Sequence, residues 1–330
     1  MATIRWGMIG CGSVAEVKSG PGLYKARDSK LVAVCSAHPA SALAYAQRHG
    51  VPKVHDTAEQ LVVDRDVDAV YIATPPASHK DLALLAANAG KHVYVEKPMA
   101  MRFGECEEIV EACRANGVRL FVAFYRRAMP RFMQVKAWID AGAIGDALIV
   151  RAVQHQPPAA DELSPATLPW RLKADVAGGG KFLDMGIHEL DFFDFLFGAI
   201  DEVRGIASNR AGLYEVEDTV TAAWRHANGV QGSGSWCYAC GHSEDHIEIV
   251  GTKGRIAFEF FSDKPLVLIN EGGQQHVSIP NPPHVQQPFI QSIVDDLNGF
   301  APCPGNVDSA VRSTWVADQV LKDYRVQKGY

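Results

Sequence analysis

The chain's folding options are narrowed most by its first fifteen residues. Residues 3–15 read TIRWGMIGCGSVA, an apolar run that ends in Gly10-Cys11-Gly12-Ser13-Val14-Ala15. This G-x-G-x-x-A pattern is the dinucleotide fingerprint with alanine in its third small position. Gly10 lets the chain turn sharply off a strand, and Gly12 has no side chain to hold a pyrophosphate away. Ala15 is small enough for the next helix to lie close against the sheet. The first amides of that helix, with Ser13 and Val14 at its start, then face the phosphates. A lone glycine-rich turn is a weak signal; a strand before it and a helix after it give the context the motif needs.

The stretch that follows carries the same theme. Apolar strand runs at 31–35, 68–74, 92–96 and 118–124 alternate with helical patterns at 39–49, 78–89 and 103–116, and Thr57 to Gln60 fits a capping box ahead of a short helix. Gly50, Gly90 and Gly117 stand where the helices should stop. Such alternation predicts an α/β domain, a doubly wound parallel sheet over residues 1–124, with its ligand beyond the carboxyl ends of the strands. Those ends bring Thr74, Pro75 and Pro76, with His79 just after them, and Glu96-Lys97-Pro98 into the candidate nucleotide site. The second strand ends in Cys35-Ser36-Ala37-His38. No carboxylate stands there to hold ribose hydroxyls and repel a 2′-phosphate, while Ser36 and His38 are both able to contact one. The reading leans to NADP and leaves NAD open.

Past Phe124 the pattern changes. After a helix near 131–141 come alternating runs at 147–156, 200–208, 218–226, 230–238, 246–250, 255–260 and 265–270, with hairpin turns at 227–229 and 252–254. Residues 125–330 are therefore expected to form a second α/β domain around a large, open, mostly antiparallel sheet, closed by helices near 288–299 and 307–326. With 330 residues there is material for two cores. A net charge of −6 disfavours a general nucleic-acid or anionic-membrane surface. No apolar run is long enough to span a bilayer, and no basic-then-apolar leader is seen, so a cytoplasmic location is expected. The seven cysteines are odd in number and scattered, and Cys237-x-x-Cys240 lacks a second pair for zinc.

The second domain's chemistry concentrates in residues 178–197, GGGKFLDMGIHELDFFDFLF. The helix predicted here is apolar over most of its circumference and so belongs in the core. Yet Asp184 and His188 are an i,i+4 pair and Asp191 follows at i+3, which puts three ionisable groups on one face. Such groups need solvent or a polar ligand. His188 has the pKa range for proton transfer, and Asp184 is placed to orient it or to bond a substrate hydroxyl. Lys97, at the sheet's ligand edge, is suited to stabilise alkoxide charge. No third ligand accompanies Asp184 and His188, so no metal is expected. Tyr125, Arg126, Gln156, Trp170 and Arg171 are secondary candidates for lining the cleft. Arg126, Trp170 and Arg171 are grouped with the cofactor contacts, Tyr125 and Gln156 with the substrate contacts.

Taken together, the Gly10–Ala15 fingerprint, Ala73-Thr74-Pro75 with His79, Glu96-Lys97-Pro98, Trp170-Arg171, and the triple glycine followed by Asp184, His188 and Asp191 resemble the Gfo/Idh/MocA oxidoreductases over nearly the whole chain. The resemblance implies Lys97, Asp184 and His188 as the catalytic set with His188 carrying the proton. It also implies homo-oligomers, dimers or tetramers, built through the second sheet. Two positions depart from the family pattern: Pro76, where a polar residue is common, and Ser36, where the acid is missing. The activity implied is hydride transfer between a nicotinamide and a secondary alcohol or ketone of a sugar or cyclic polyol. Dihydrodiol oxidation and lyase or glycosidase chemistry on a retained nicotinamide are the family's other activities to weigh.

Overall fold

A computed structural model describes residues 2–330. The chain forms two compact units, Met1–Met129 with Pro282–Val311 and Pro130–Asn281 with Arg312–Tyr330. The expected boundary near residue 124 allows one departure from the first unit. In the structure the chain leaves after Met129 and returns over Pro282–Val311.

The first unit holds strands β1 (Ile4–Ile9), β2 (Ser29–Cys35), β3 (Lys53–Val54), β4 (Ala69–Ile72), β5 (His92–Val95) and β6 (Leu120–Val122). They form one six-stranded sheet in the order β3-β2-β1-β4-β5-β6, and every pairing is parallel. Helices α1 (Gly20–Lys25), α2 (Pro39–His49), α3 (Ala58–Val62), α4 (His79–Asn88) and α5 (Phe103–Ala115) make the crossovers. The buried positions of β1, β2, β4, β5 and β6 are apolar, as a sheet covered on both faces requires. Helix α2 stops at Gly50, which takes the left-handed conformation at φ 66°. Thr57 caps α3 by accepting from the Gln60 amide, while Gln60 reaches back to the Asp56 amide rather than to that of Thr57. The order reverses between β1 and β4. This is the switch point at which such sheets bind ligands.

In the second unit, α6 (Pro130–Asp140) leads into β7 (Ala147–His155), followed by α7 (Ala174–Ala177) and α8 (Ile187–Phe197). The remaining strands are β8 (Ile200–Ser208), β9 (Thr219–His226), β10 (Gln231–Cys237), β11 (Glu244–Gly251), β12 (Gly254–Phe258), β13 (Leu266–Asn270) and β14 (Gly273–Val277). The sheet order is β14-β13-β12-β11-β7-β10-β9-β8. It is antiparallel except where β7 lies parallel to β10. One face is buried: Phe132 of α6 and Phe192 of α8 meet Phe258 and Phe260 edge to face, and Phe193 stacks on Trp224. The other face is open, with Arg151, Thr221, Ala223, Arg225, Gln231 and Ser233 exposed along it. Helices α9 (Gln287–Leu297) and α10 (Val307–Lys328) end the chain. Among the described residues no helix is long and apolar enough to cross a membrane. None of the seven cysteines is in a disulfide.

Candidate active site

In the first unit, the turn after β1 is shaped by close approach. Gly10 sits at φ +99°, and a Cβ there would lie 2.7 Å from the Ala73 carbonyl oxygen. Only glycine meets both conditions. At Gly12 an added Cβ would meet nothing within 4 Å, so the backbone faces open space of the kind a diphosphate needs. The chain then enters a π-type turn over Ala15–Ser19, entered with Val14 in helical geometry. These features fit a bound dinucleotide. When bound, a nicotinamide supplies a hydride donor or acceptor.

At the end of β2, the Ser36 hydroxyl accepts from the His38 amide at 3.2 Å, and His38 is exposed. Across the switch point, the Ser78 hydroxyl donates to Thr74 Oγ1 at 2.7 Å beside the turn Pro76–Ser78. His79 is fully buried, with Nδ1 2.9 Å from the Pro98 carbonyl and Nε2 2.8 Å from that of Thr74. Burial pushes its pKa below the usual imidazole range, against the pull of the two carbonyls. Both ring nitrogens are thus engaged by backbone. His79, expected among the cofactor contacts, thus lies buried between the Thr74 and Pro98 carbonyls.

Glu96 also turns inward. Its carboxylate accepts from the Tyr71 hydroxyl and from Gln286 Nε2, each at 2.6 Å, and its second oxygen lies 3.2 Å from the Lys97 amide. Gln286 in turn accepts from the Tyr94 hydroxyl at 2.6 Å. A buried carboxylate so tied anchors the backbone of the half-buried Lys97 at the end of β5. The Lys97-Pro98 peptide is cis. Beyond β6, Arg126 donates to the Tyr125 hydroxyl at 2.9 Å and lies 5.2 Å from its ring centre, both side chains being buried.

The second unit builds its own set. Arg171 stacks over Trp170 at 4.4 Å and places Nε 3.6 Å from Asp184 Oδ2. The triple glycine is a tight crossing: Gly178 ends α7 at φ 79°, Gly180 donates its amide to Glu217 at 2.8 Å, and a Cβ on Gly180 would lie 2.2 Å from the Glu217 carbonyl oxygen. The chain then runs through a π-type segment, Phe182–Gly186, before α8. The regular helix expected through Asp184 and His188 is therefore widened over its first turn. Asp184 keeps 28% of its side-chain exposure, while His188 and Asp191 are buried.

Beneath this stretch lie residues that the sequence pattern gave no reason to single out. Tyr238 donates to Gln154 at 2.7 Å, and the Trp236 indole donates to Glu189 at 2.5 Å. Lys181 pairs with Glu162 at 2.5 Å and lies over the Tyr238 ring. Gln154, a glutamine on the buried side of β7, was an available signal. Gln156, expected as a substrate contact, lines a cavity with His155, Glu244 and Lys264; neither Asp184 nor His188 lines it.

Residues 4–124 match the model of an oxidoreductase family with an NAD-binding Rossmann fold, and residues 132–257 match the GFO/IDH/MocA C-terminal domain. The chain belongs to the Gfo/Idh/MocA oxidoreductases. Among Gfo/Idh/MocA relatives, "Oxidoreductase P35" of Formosa agariphila is 36% identical over 96% of this chain and 97% of its own. The 1,5-anhydro-D-fructose reductase of Ensifer adhaerens is 33% identical over 83% of each chain. The solved structure of a levoglucosan dehydrogenase with NADH and levoglucosan superposes with a TM-score of 0.85 at 25% identity, covering 98% of both chains. This Gfo/Idh/MocA chain is accordingly an oxidoreductase with an NAD(P)-binding fold.

Proposed function

We propose that the protein passes a hydride between NADP and a secondary alcohol or ketone of a sugar or cyclic polyol. The observation that carries the reading is Lys97, fixed through its backbone by the buried Glu96 at the ligand edge of the first sheet. Two of the relatives above, a reductase and a dehydrogenase, are named for sugars, which favours a polyhydroxylated substrate. Lys97 offers an ammonium to the substrate oxygen as its charge changes. His188 takes or returns the hydroxyl proton. Asp184 orients the histidine or bonds a neighbouring hydroxyl, and Arg171, stacked on Trp170, keeps that carboxylate in place. Preference for NADP rests on Ser36, which offers a hydroxyl where a carboxylate would repel the 2′-phosphate. The open face of the second sheet, with Ile206 three-quarters exposed, suits self-association.

Nicotinamide absorbance followed over a panel of sugars, inositols and dihydrodiols, with NADP and NAD in parallel, tests the assignment. Turnover on a sugar or inositol is expected, with Lys97→Ala and His188→Ala each slower by about 10²–10⁴. Wild-type rates in both variants overturn the roles given to those residues. No net turnover with nicotinamide retained on the purified protein overturns the dehydrogenase reading.

A further inference from the structure

The strongest unexplained cluster lies on the open side of the second sheet. His155 ends β7, and Glu244 is its direct partner across the antiparallel ladder to β11. His242 stands two residues earlier, in the connection from β10. His155 Nδ1 and His242 Nε2 are each 3.6 Å from the same oxygen, Glu244 Oε2. The two imidazoles meet edge to face at 5.5 Å, and all three ligand atoms lie within 4.8 Å of one another.

Those separations are informative. At 3.6 Å neither histidine makes a good hydrogen bond to the carboxylate, which would need about 2.7–3.2 Å. A tetrahedral ion with bonds of about 2.0–2.1 Å spaces its ligands roughly 3.4 Å apart. The far side of His155 is also in order: its Nε2 is 3.1 Å from the Ser235 hydroxyl on β10. A proton on Nε2 donated to Ser235 leaves the Nδ1 lone pair aimed at Glu244. That is the outer contact which fixes tautomer and ring direction at histidine metal sites. The group borders a cavity of about 600 Å³ that Ser243, Asp245, His246 and Lys264 also line. His242 and Glu244 keep 62% and 47% of their side-chain exposure, so an ion has access.

The geometry points to a binding site for a divalent first-row transition ion, with zinc the natural occupant, held by His155 Nδ1, His242 Nε2 and Glu244 Oε2. Two imidazoles select such an ion over magnesium or calcium. Water completes the fourth position. An ion there ties the β10–β11 connection to the end of β7. The absence of metal expected from the sequence rested on Asp184 with His188 and on the lone Cys237-x-x-Cys240 pair. These three ligands come from separate strands and a loop, and no spacing motif announces them. The inference does not depend on the hydride-transfer reading.

Cobalt provides the test, because four-coordinate Co²⁺ absorbs visible light. The untagged, chelator-stripped full chain is titrated with CoCl₂ and then with ZnCl₂. One Co²⁺ band per chain, bleached by zinc, is expected. His242→Ala and Glu244→Gln each remove a ligand at an exposed position and should weaken uptake at least about 100-fold. Ser235→Ala removes only the outer partner of His155 and should weaken it about tenfold. Circular dichroism verifies that each variant is folded. No band at millimolar cobalt, or undiminished uptake by both ligand variants, overturns the site.

Discussion

Single side chains in the first unit decide which groups are free for chemistry. Glu96 is the clearest case: three donors converge on it, from the Tyr71 hydroxyl, the Gln286 amide and the Lys97 backbone. Cys11, inside the fingerprint itself, is a second. Its thiol points toward the Cys35 carbonyl, and burial pushes its pKa up to about 11. Burial penalises the thiolate, so the neutral thiol persists through physiological pH. At pH 7.5 its thiolate fraction is about 300-fold below that of an ordinary thiol near 8.5. Iodoacetamide should therefore label Cys11 slowly at pH 7.5, accelerating about tenfold per pH unit up to roughly pH 11. Peptide-resolved alkylation rates check this, and a profile that levels near pH 9 would count against it.

Among the elements, the two π-type segments stand out by position. Among the described residues they fall at Ala15–Ser19 and Phe182–Gly186, the two places where motifs placed function. Widened turns of this kind are frequent at functional sites. Local spacing does not reveal them, because the apolar periodicity around them still reads as an ordinary helix. Gly186 shows what the second one requires. Its backbone is helical at φ −59°, open to any residue, but an added Cβ would lie 2.7 Å from the Phe182 ring and 3.1 Å from the Trp236 indole nitrogen. That indole is already committed to Glu189. Gly186→Ala should thus cost about 1–3 kcal/mol by overpacking and shift tryptophan emission as Trp236 moves. An unchanged denaturant midpoint with unchanged emission would show that the turn has slack. Most other elements were legible in the sequence to within a few residues, since their apolar periods and stop glycines are local. The two-residue β3 and the hydrophilic β14 were not: one is too short to have a period, and the other has no buried face to mark it. The parallel contact of β7 with β10 was equally hidden, because neighbouring runs with hairpin turns predict only antiparallel partners.

For the molecule as a whole, the telling feature is the return of the chain at Pro282. Helix α9 buries Phe289, Ile290, Ile293 and Val294 within the first unit. Phe289 lies against Tyr94, and Ile290 packs at Gly22, where a Cβ would be 2.6 Å away. At about 1.5–3 kcal/mol per side chain this burial is worth roughly 6–12 kcal/mol, as much as the entire stability of an ordinary domain. Residues 1–129 alone should therefore show no cooperative melt, and joining residues 282–311 through a flexible linker should restore one. A sharp thermal transition in the short piece would disprove the estimate. Nothing in the sequence of the first 124 residues signals this dependence, since the partners of Tyr94 and Glu96 stand some 190 positions away.

That separation has a consequence during synthesis. The ribosome makes Glu96 long before Gln286, with residues 130–281 of the second unit in between. Until then Glu96 lacks one of its three donors and the groove of α9 lies bare. The early strands of the chain thus wait for residues made some 190 positions later before their surroundings are finished, and a nascent protein stalled before residue 282 presents a greasy, half-built nucleotide domain to whatever chaperone is nearby.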